Sequence, residues 1–184
     1  NFEKKYEGYL AHKQKDDLKA YYIFKELSTT SRELSIDPDV NFYLDVAENR
    51  IREKYFFVDE TFEQESFEYA NNIYFSYDYK DGSKDIVYFK GVTTVEETGN
   101  SIQYLRDLTI VTIDKNKEVY RTVKVPYAKV LPVSVESLNE TTKQLLEIDE
   151  KTKSIPYLML NSIGRSDPSV KITPTFTYAT EQNM

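Results

Sequence analysis

The spacing of apolar residues changes once along this chain, and the change limits what each part can become. Up to about residue 58 they recur every three or four positions, and from Phe67 onward they recur every two. The first period lines up one stripe of a helix, and the second lines up one face of a strand.

In the helical part, Phe2, Tyr6, Tyr9 and Leu10 fall at helical spacing, followed by Leu18, Tyr21, Tyr22, Phe24 and Leu27. The polar "KQKDD" between the two groups reads either as a helix face or as a break. A further helix is more sharply marked. Asp37 is a natural N-cap and Pro38 suits the first helical position, where its missing N–H is not needed. Val40, Leu44, Ala47, Ile51 and Tyr55 then form a stripe, and Glu48 and Arg52 are spaced to pair on the outer face.

In the strand part, Phe67, Tyr69, Ile73, Phe75, Tyr77 and Tyr79 share one face, and strand-like runs follow at about 84–96, 101–114 and 118–130. The connections "EETGN" and "DKNK" are short and polar, so successive strands pair antiparallel as a meander. "SLNE" reads as a capping box, Ser137 with Glu140, opening a helix whose stripe is Leu138, Thr141, Leu145 and Ile148. The tail is extended from Ile155 to Leu160 and again from Val170 to Tyr178.

The stretch "YDYKDGSKD" at 77–85 has the look of a site, with three aspartates around a glycine. A calcium loop with Gly82 at its sixth position would place Tyr77, Tyr79 and Tyr88 where oxygen-rich ligands are needed, and only Asp81 fits. Turn geometry explains it better. A two-residue Asp81-Gly82 loop would face Asp78 with Asp85. A three-residue loop, Lys80-Asp81-Gly82 with Gly82 left-handed, faces Asp78 with Lys84, Phe75 with Val87 and Ile73 with Phe89. That register turns Phe75 and Val87 to one side and Tyr74 and Tyr88 to the other, so both faces of the sheet carry aromatic bulk. Helices covering one face, with the tail or a partner on the other, would account for it.

Several chemistries are excluded. There are no cysteines and one histidine, His12, so thiolate nucleophiles, disulfides and His- or Cys-rich metal sites are ruled out. Five glycines include no phosphate-cradling arrangement. The net charge of −7 argues against nucleic acid. Residues 35–68 hold ten acids against three bases, which accounts for the entire excess. Within that region Asp59, Glu60, Glu63, Glu65 and Glu68 form the candidate surface for a basic partner; a solvated connection is the plainer reading. Sixteen tyrosines and ten phenylalanines without tryptophan suggest contact surfaces, with Tyr74 and Tyr88 as the candidate aromatic interface. An AT-rich coding sequence would enrich the same residue types. "NSIGRSDPS" at 161–169 carries turn chemistry and no nucleophile elbow.

The expected fold is α+β in a single domain: N-terminal helices (about 2–58) packed on a four-stranded antiparallel meander (about 67–131), then a helix (about 137–153) and an extended tail (about 155–179). This element order is similar to that of cone-shaped folds such as the NTF2-like group, and some export and conjugation assembly proteins share the shape. The likeness rests on no motif and implies no site residues. The expected function is a non-catalytic protein-binding or assembly module, such as a subunit of a secretion or conjugation apparatus, a virion or a cell surface. The alternative is a small-ligand pocket protein of the cone-shaped kind, enzymes included. No cofactor or metal is expected. The expected partner is a protein, either a second copy or a chain with a basic surface. No apolar run is long enough to span a membrane. The start at Asn1, together with the lack of cysteine, points to an extracytoplasmic or virion setting.

Overall fold

The computed structural model describes residues 1–179, the side chains of Glu65 and Ser66 excepted. It is an α+β chain, an N-terminal helical bundle followed by an antiparallel sheet. The path begins with α1 (Phe2–Lys13), α2 (Asp17–Thr30), α3 (Arg32–Ser35), α4 (Pro38–Ile51) and β1 (Phe56–Phe57). A short α5 (Asp59–Phe62) leads to β2 (Ile73–Asp78), β3 (Lys84–Phe89), β4 (Gly91–Glu97), β5 (Asn100–Ile113) and β6 (Val119–Ser134). Then come α6 (Glu140–Leu145), β7 (Ser154–Met159), β8 (Ser162–Ile163), β9 (Lys171–Ile172) and β10 (Thr175–Tyr178). By compactness the chain forms two units: residues 1–59 with 161–171, and residues 60–160 with those from 172 onward.

In the first unit the helices bury their stripes among themselves. Tyr21, Phe24 and Leu27 of α2 meet Val40, Ala47 and Ile51 of α4, with Ala11 of α1, Phe57 and Ile163 closing the core. Asp37 caps α4 by accepting the N–H groups of Asp39 and Val40, Pro38 occupies the first turn, and Arg52 pairs with Glu48 at 2.9 Å. "KQKDD" is a break, because α1 stops at Lys13 and Asp16 caps α2 through the Lys19 N–H. Of the expected stripe on the first helix, Tyr9 packs on the core against Phe24 and Tyr43, but the rest faces away. Phe2, Tyr6 and Leu10 are exposed, whereas Gly8 and Ala11 are buried. Gly8 lets α1 approach Phe24, since a Cβ there would lie 2.8 Å from the ring's Cζ and 3.1 Å from Ile23 Cγ2. The 161–169 loop completes this unit as a turn. Tyr21 and Tyr22 donate to the carbonyls of Arg165 and Gly164, and β1 pairs with β8 in parallel.

The second unit is the meander. Its sheet runs β10-β6-β5-β3-β2, with β4 also on β5 and β7 also on β6. The long strands β5 and β6 therefore belong to both an upper and a lower half. The halves meet in one row: Lys90, Asp107 and Pro126 lie opposite one another between the paired stretches, and Asp107 has φ 51°. The alternation of faces slips there. Above the row the core takes Phe89, Leu108 and Val125; below it, Val92, Leu105 and Ala128, of opposite parity. Both hairpin connections use a left-handed residue where sequence allowed one. Thr98-Gly99 (φ 47° and 79°) join β4 to β5, and Lys117 (φ 66°) ends the turn between β5 and β6.

Three expectations are corrected. Phe67 and Tyr69 are not in the first strand, because 65–68 form a 3-10 turn and left-handed Asn72 (φ 49°) starts the strand at Ile73. Phe67 is buried and packs near Tyr127 instead. The capping box does not form: Asn139 caps α6 through the Thr142 N–H, and Ser137 Oγ turns back to the Ser134 carbonyl. That helix ends at Leu145, which is exposed, and Glu147 takes φ 50°. Finally, the last described strand of the tail, β10, pairs edge-on with β6 and extends the sheet by one strand, while Leu160 and Ile172 of the tail pack on the sheet's core.

Gly8→Ala is expected to lower stability by about 1–3 kcal/mol, because overpacking against Phe24 outweighs the helix-propensity gain of alanine. Thermal or denaturant unfolding followed by circular dichroism measures this, and a stabilised variant would contradict the packing described.

Candidate functional site

The candidate site is the outer edge of β2, and its geometry starts at the turn. Two backbone bonds close a three-residue Lys80-Asp81-Gly82 loop: Gly82 N–H donates to the Tyr79 carbonyl, and Tyr79 N–H donates to the Ser83 carbonyl at 2.9 Å. Gly82 has φ 88°, and the Asp81 carboxylate accepts both the N–H and the hydroxyl of Ser83. Asp78 faces Lys84, Phe75 faces Val87 and Ile73 faces Phe89, the register read from the sequence.

Antiparallel pairing alternates which residues turn their backbone toward the neighbour. Since Tyr79 bonds to Ser83, Tyr77, Phe75 and Ile73 also turn inward to β3. Tyr74, Ser76 and Asp78 therefore turn their N–H and C=O groups outward. Among the described residues no strand pairs with that side, and all six residues of β2 are exposed.

The side chains on this edge are bulky and largely apolar on one face, and the other carries Tyr74 with Ser76 and Asp78. Ile73, Phe75, Tyr77 and Tyr79 stand on one face, with Phe75 52% and Tyr77 61% exposed. On the other face Tyr74, 70% exposed, lies against Tyr88 with ring centroids 4.6 Å apart, and Tyr88 donates to the Asn72 side-chain oxygen. A shallow groove of about 350 Å³ continues from Tyr88 along Thr109, Lys124 and Thr175 beside Asp107. Tyr74 and Tyr88, the pair named from sequence, thus lie side by side on this face.

The other edges of this sheet are guarded. β7 contains Pro156, β10 is four residues long and follows Pro174, and β4 ends in Glu96 and Glu97. Proline, shortness and charge are the usual means of blocking edge pairing. β2 has no proline and no lysine, and its one charge, Asp78, is at the end next to the turn.

Two residues of the acidic run, Asp59 and Glu60, are engaged inside their own units. Asp59, in the first unit, accepts the Arg165 N–H at 2.5 Å. Glu60, in the second, takes hydrogen bonds from the Tyr104 hydroxyl and from Lys129 Nζ, the latter at 2.9 Å, with the two charged side chains 14% and 9% exposed. Lys129 Nζ also sits 5.4 Å from the Tyr104 ring centre. Phe62 and Phe67 pack near Tyr127. In the lower half of the sheet, the segment from 60 to 68 thus covers the face opposite the core. Glu63 and Glu68 remain exposed, and the side chain of Glu65 lies outside the described residues. Sequence alone did not connect Glu60 to Lys129, 69 positions away; the signal was a lysine inside a run of strand residues.

One polar cluster lies on the Phe75 face. Asp85 accepts from the Tyr79 hydroxyl at 2.6 Å and from Thr112 Oγ1 at 2.7 Å. That hydrogen bond, assisted by burial, pushes the Tyr79 phenol up to about 12. Among the described residues no group of three or more His, Cys, Asp or Glu is arranged to hold a metal ion. No helix is long and apolar enough to cross a membrane. No family model, curated protein or solved structure matches the chain.

Two outcomes follow from these contacts. Lys129→Met should lower stability by about 3–5 kcal/mol, since it strands a buried carboxylate, and adding Glu60→Leu should recover part of the loss. Denaturant unfolding of the two single variants and the double variant tests this. Separately, Asp85→Asn should bring the Tyr79 phenol down toward its ordinary value near 10, read by NMR titration of labelled tyrosine. With its folded value raised, Tyr79 favours the folded state below about pH 10, and this contribution fades as pH climbs to about 12. The variant should lose less stability across that window.

Proposed function

We propose that this protein is a non-catalytic protein-binding or assembly module, and that its working surface is the outer edge of β2. The observation that carries this reading is the contrast among edges. Among the described residues, β2 is the longest edge strand that exposes aromatic residues and holds neither a proline nor a pair of charges; β10, which also exposes Phe176, is four residues long and follows Pro174. The occupant is an extended strand from another polypeptide. Its backbone bonds to Tyr74, Ser76 and Asp78, and its alternate side chains lie beside Phe75 and Tyr77 on one face and Tyr74 on the other. Backbone pairing supplies affinity in such recognition, and the flanking side chains select the sequence.

Because the outward groups belong to even-numbered residues, Ser76→Pro removes one outward N–H without touching the ladder to β3. Ten-residue peptides selected from a random display library against the full chain serve as the probe. They are expected to shift the amides of Tyr74, Ser76 and Asp78 in NMR spectra, and Ser76→Pro should weaken them at least about tenfold, the equivalent of a lost hydrogen bond or more. Selected peptides that shift residues elsewhere, or that bind Ser76→Pro as well as the parent chain, would contradict the reading.

A further inference from the structure

We infer that the strand received by β2 is the β2 of a second copy, paired antiparallel about a two-fold axis through Ser76. The inference rests on the edge-pairing reading above and names its partner. It follows from register. In antiparallel strands, residues that turn their backbone toward the partner stand opposite residues that do the same. Here those are Tyr74, Ser76 and Asp78, so even-numbered residues must face even-numbered ones. Any self-pairing that puts an even residue opposite an odd one is ruled out. The axis is then perpendicular to the sheet, and like faces of the two copies become continuous.

Among the allowed registers, only the one centred on Ser76 uses the whole run from Ile73 to Tyr79. Shifting toward the N-terminus brings in Asn72, whose φ of 49° takes it out of the strand, and shifting the other way brings in the turn. The Ser76-centred register places Phe75 opposite Tyr77 and Ile73 opposite Tyr79, each twice, so one face gains four apolar contacts across the junction. On the other face Tyr74 stands opposite Asp78, a phenol donor beside a carboxylate, and the small Ser76 meets itself at the axis. No charge faces a like charge. The same pairing by a basic heterologous strand would find only Asp78 on β2 to attract it.

Sedimentation of the full chain over a range of concentrations tests the inference. Its mass is expected to double with concentration, more readily as salt screens the −7 on each copy. Ser76→Lys and Ser76→Glu should each return the monomer mass, because each sets like charges at the axis, and an equimolar mixture of the two should regain the dimer. Both changes lie on an exposed side chain and leave the ladder to β3 in place. The chain lacks cysteine, so single cysteines report the register cleanly. Ser76→Cys should cross-link to itself on mild oxidation, since opposed bonded residues lie about 5.5 Å apart, whereas Phe75→Cys should not. A chain that stays monomeric with no Ser76→Cys cross-link overturns self-pairing, as does a dimer that persists in Ser76→Lys or a mixture that fails to regain it. If library peptides still dock on β2 in that event, the edge reading stands and only the identity of the partner falls. If they do not, both fall.

Discussion

The hydrogen bond from Tyr79 N–H to the Ser83 carbonyl, closed over left-handed Gly82, determines which way every polar backbone group of β2 points. Alternation along the strand does the rest. A turn one residue shorter would have faced Asp78 with Asp85 and exchanged the inward and outward sets. With the turn as it is, Asp81 holds Ser83 by two hydrogen bonds and Lys84 meets Asp78. The aromatic residues on both faces of the edge therefore come from the same local geometry that leaves three residues' backbone groups unpaired.

The row at Lys90, Asp107 and Pro126 has an equally broad effect inside the sheet. Proline at 126 has no N–H to give, and Asp107 adopts φ 51°, so the ladder is interrupted where the two residues face each other. Register continues past the interruption while the parity of the faces changes. Leu108 and Val125 above, and Leu105 and Ala128 below, can then join one core. Tyr104 and Lys129 are turned to the opposite face, where Glu60 meets them. The acidic run is thus drawn onto the sheet by a lysine that the interruption reorients.

How much of this could be read in the sequence depended on how local its cause was. The α4 cap, the Glu48–Arg52 pair and the first hairpin depend on residues within about ten positions, and their chemistry is written in neighbouring letters. The meander followed from short polar connections in the same way. Phe67 and Tyr69 kept the alternating pattern but not the strand, because Asn72 could adopt a left-handed conformation and the aromatic ring of Phe67 found Tyr127. In α1 the large residues suggested the packing face, yet close approach to Phe24 selected the small ones. At Ser137 the box pattern lost to Asn139, a strong cap two residues on. As for the candidate surface, Tyr74 and Tyr88 were legible through the hairpin register. Glu60 was not, since its partner is set by a change of parity that composition and period do not express.

An exposed aromatic edge invites unwanted strand pairing, and this fold treats its edges unequally. Pro156, Pro174 and the Glu96-Glu97 pair stand where pairing would otherwise extend the sheet in other directions. Among the described residues those features leave β2 as the longest edge without a proline or a pair of charges. The two-fold junction proposed above would be closed, because each copy would use its β2 edge on the other. The net charge of −7 works in the same direction, opposing loose approach at long range while leaving a short, almost uncharged strand free to pair. Under that proposal, guarded edges and overall like charge would favour a finite assembly over an endless sheet.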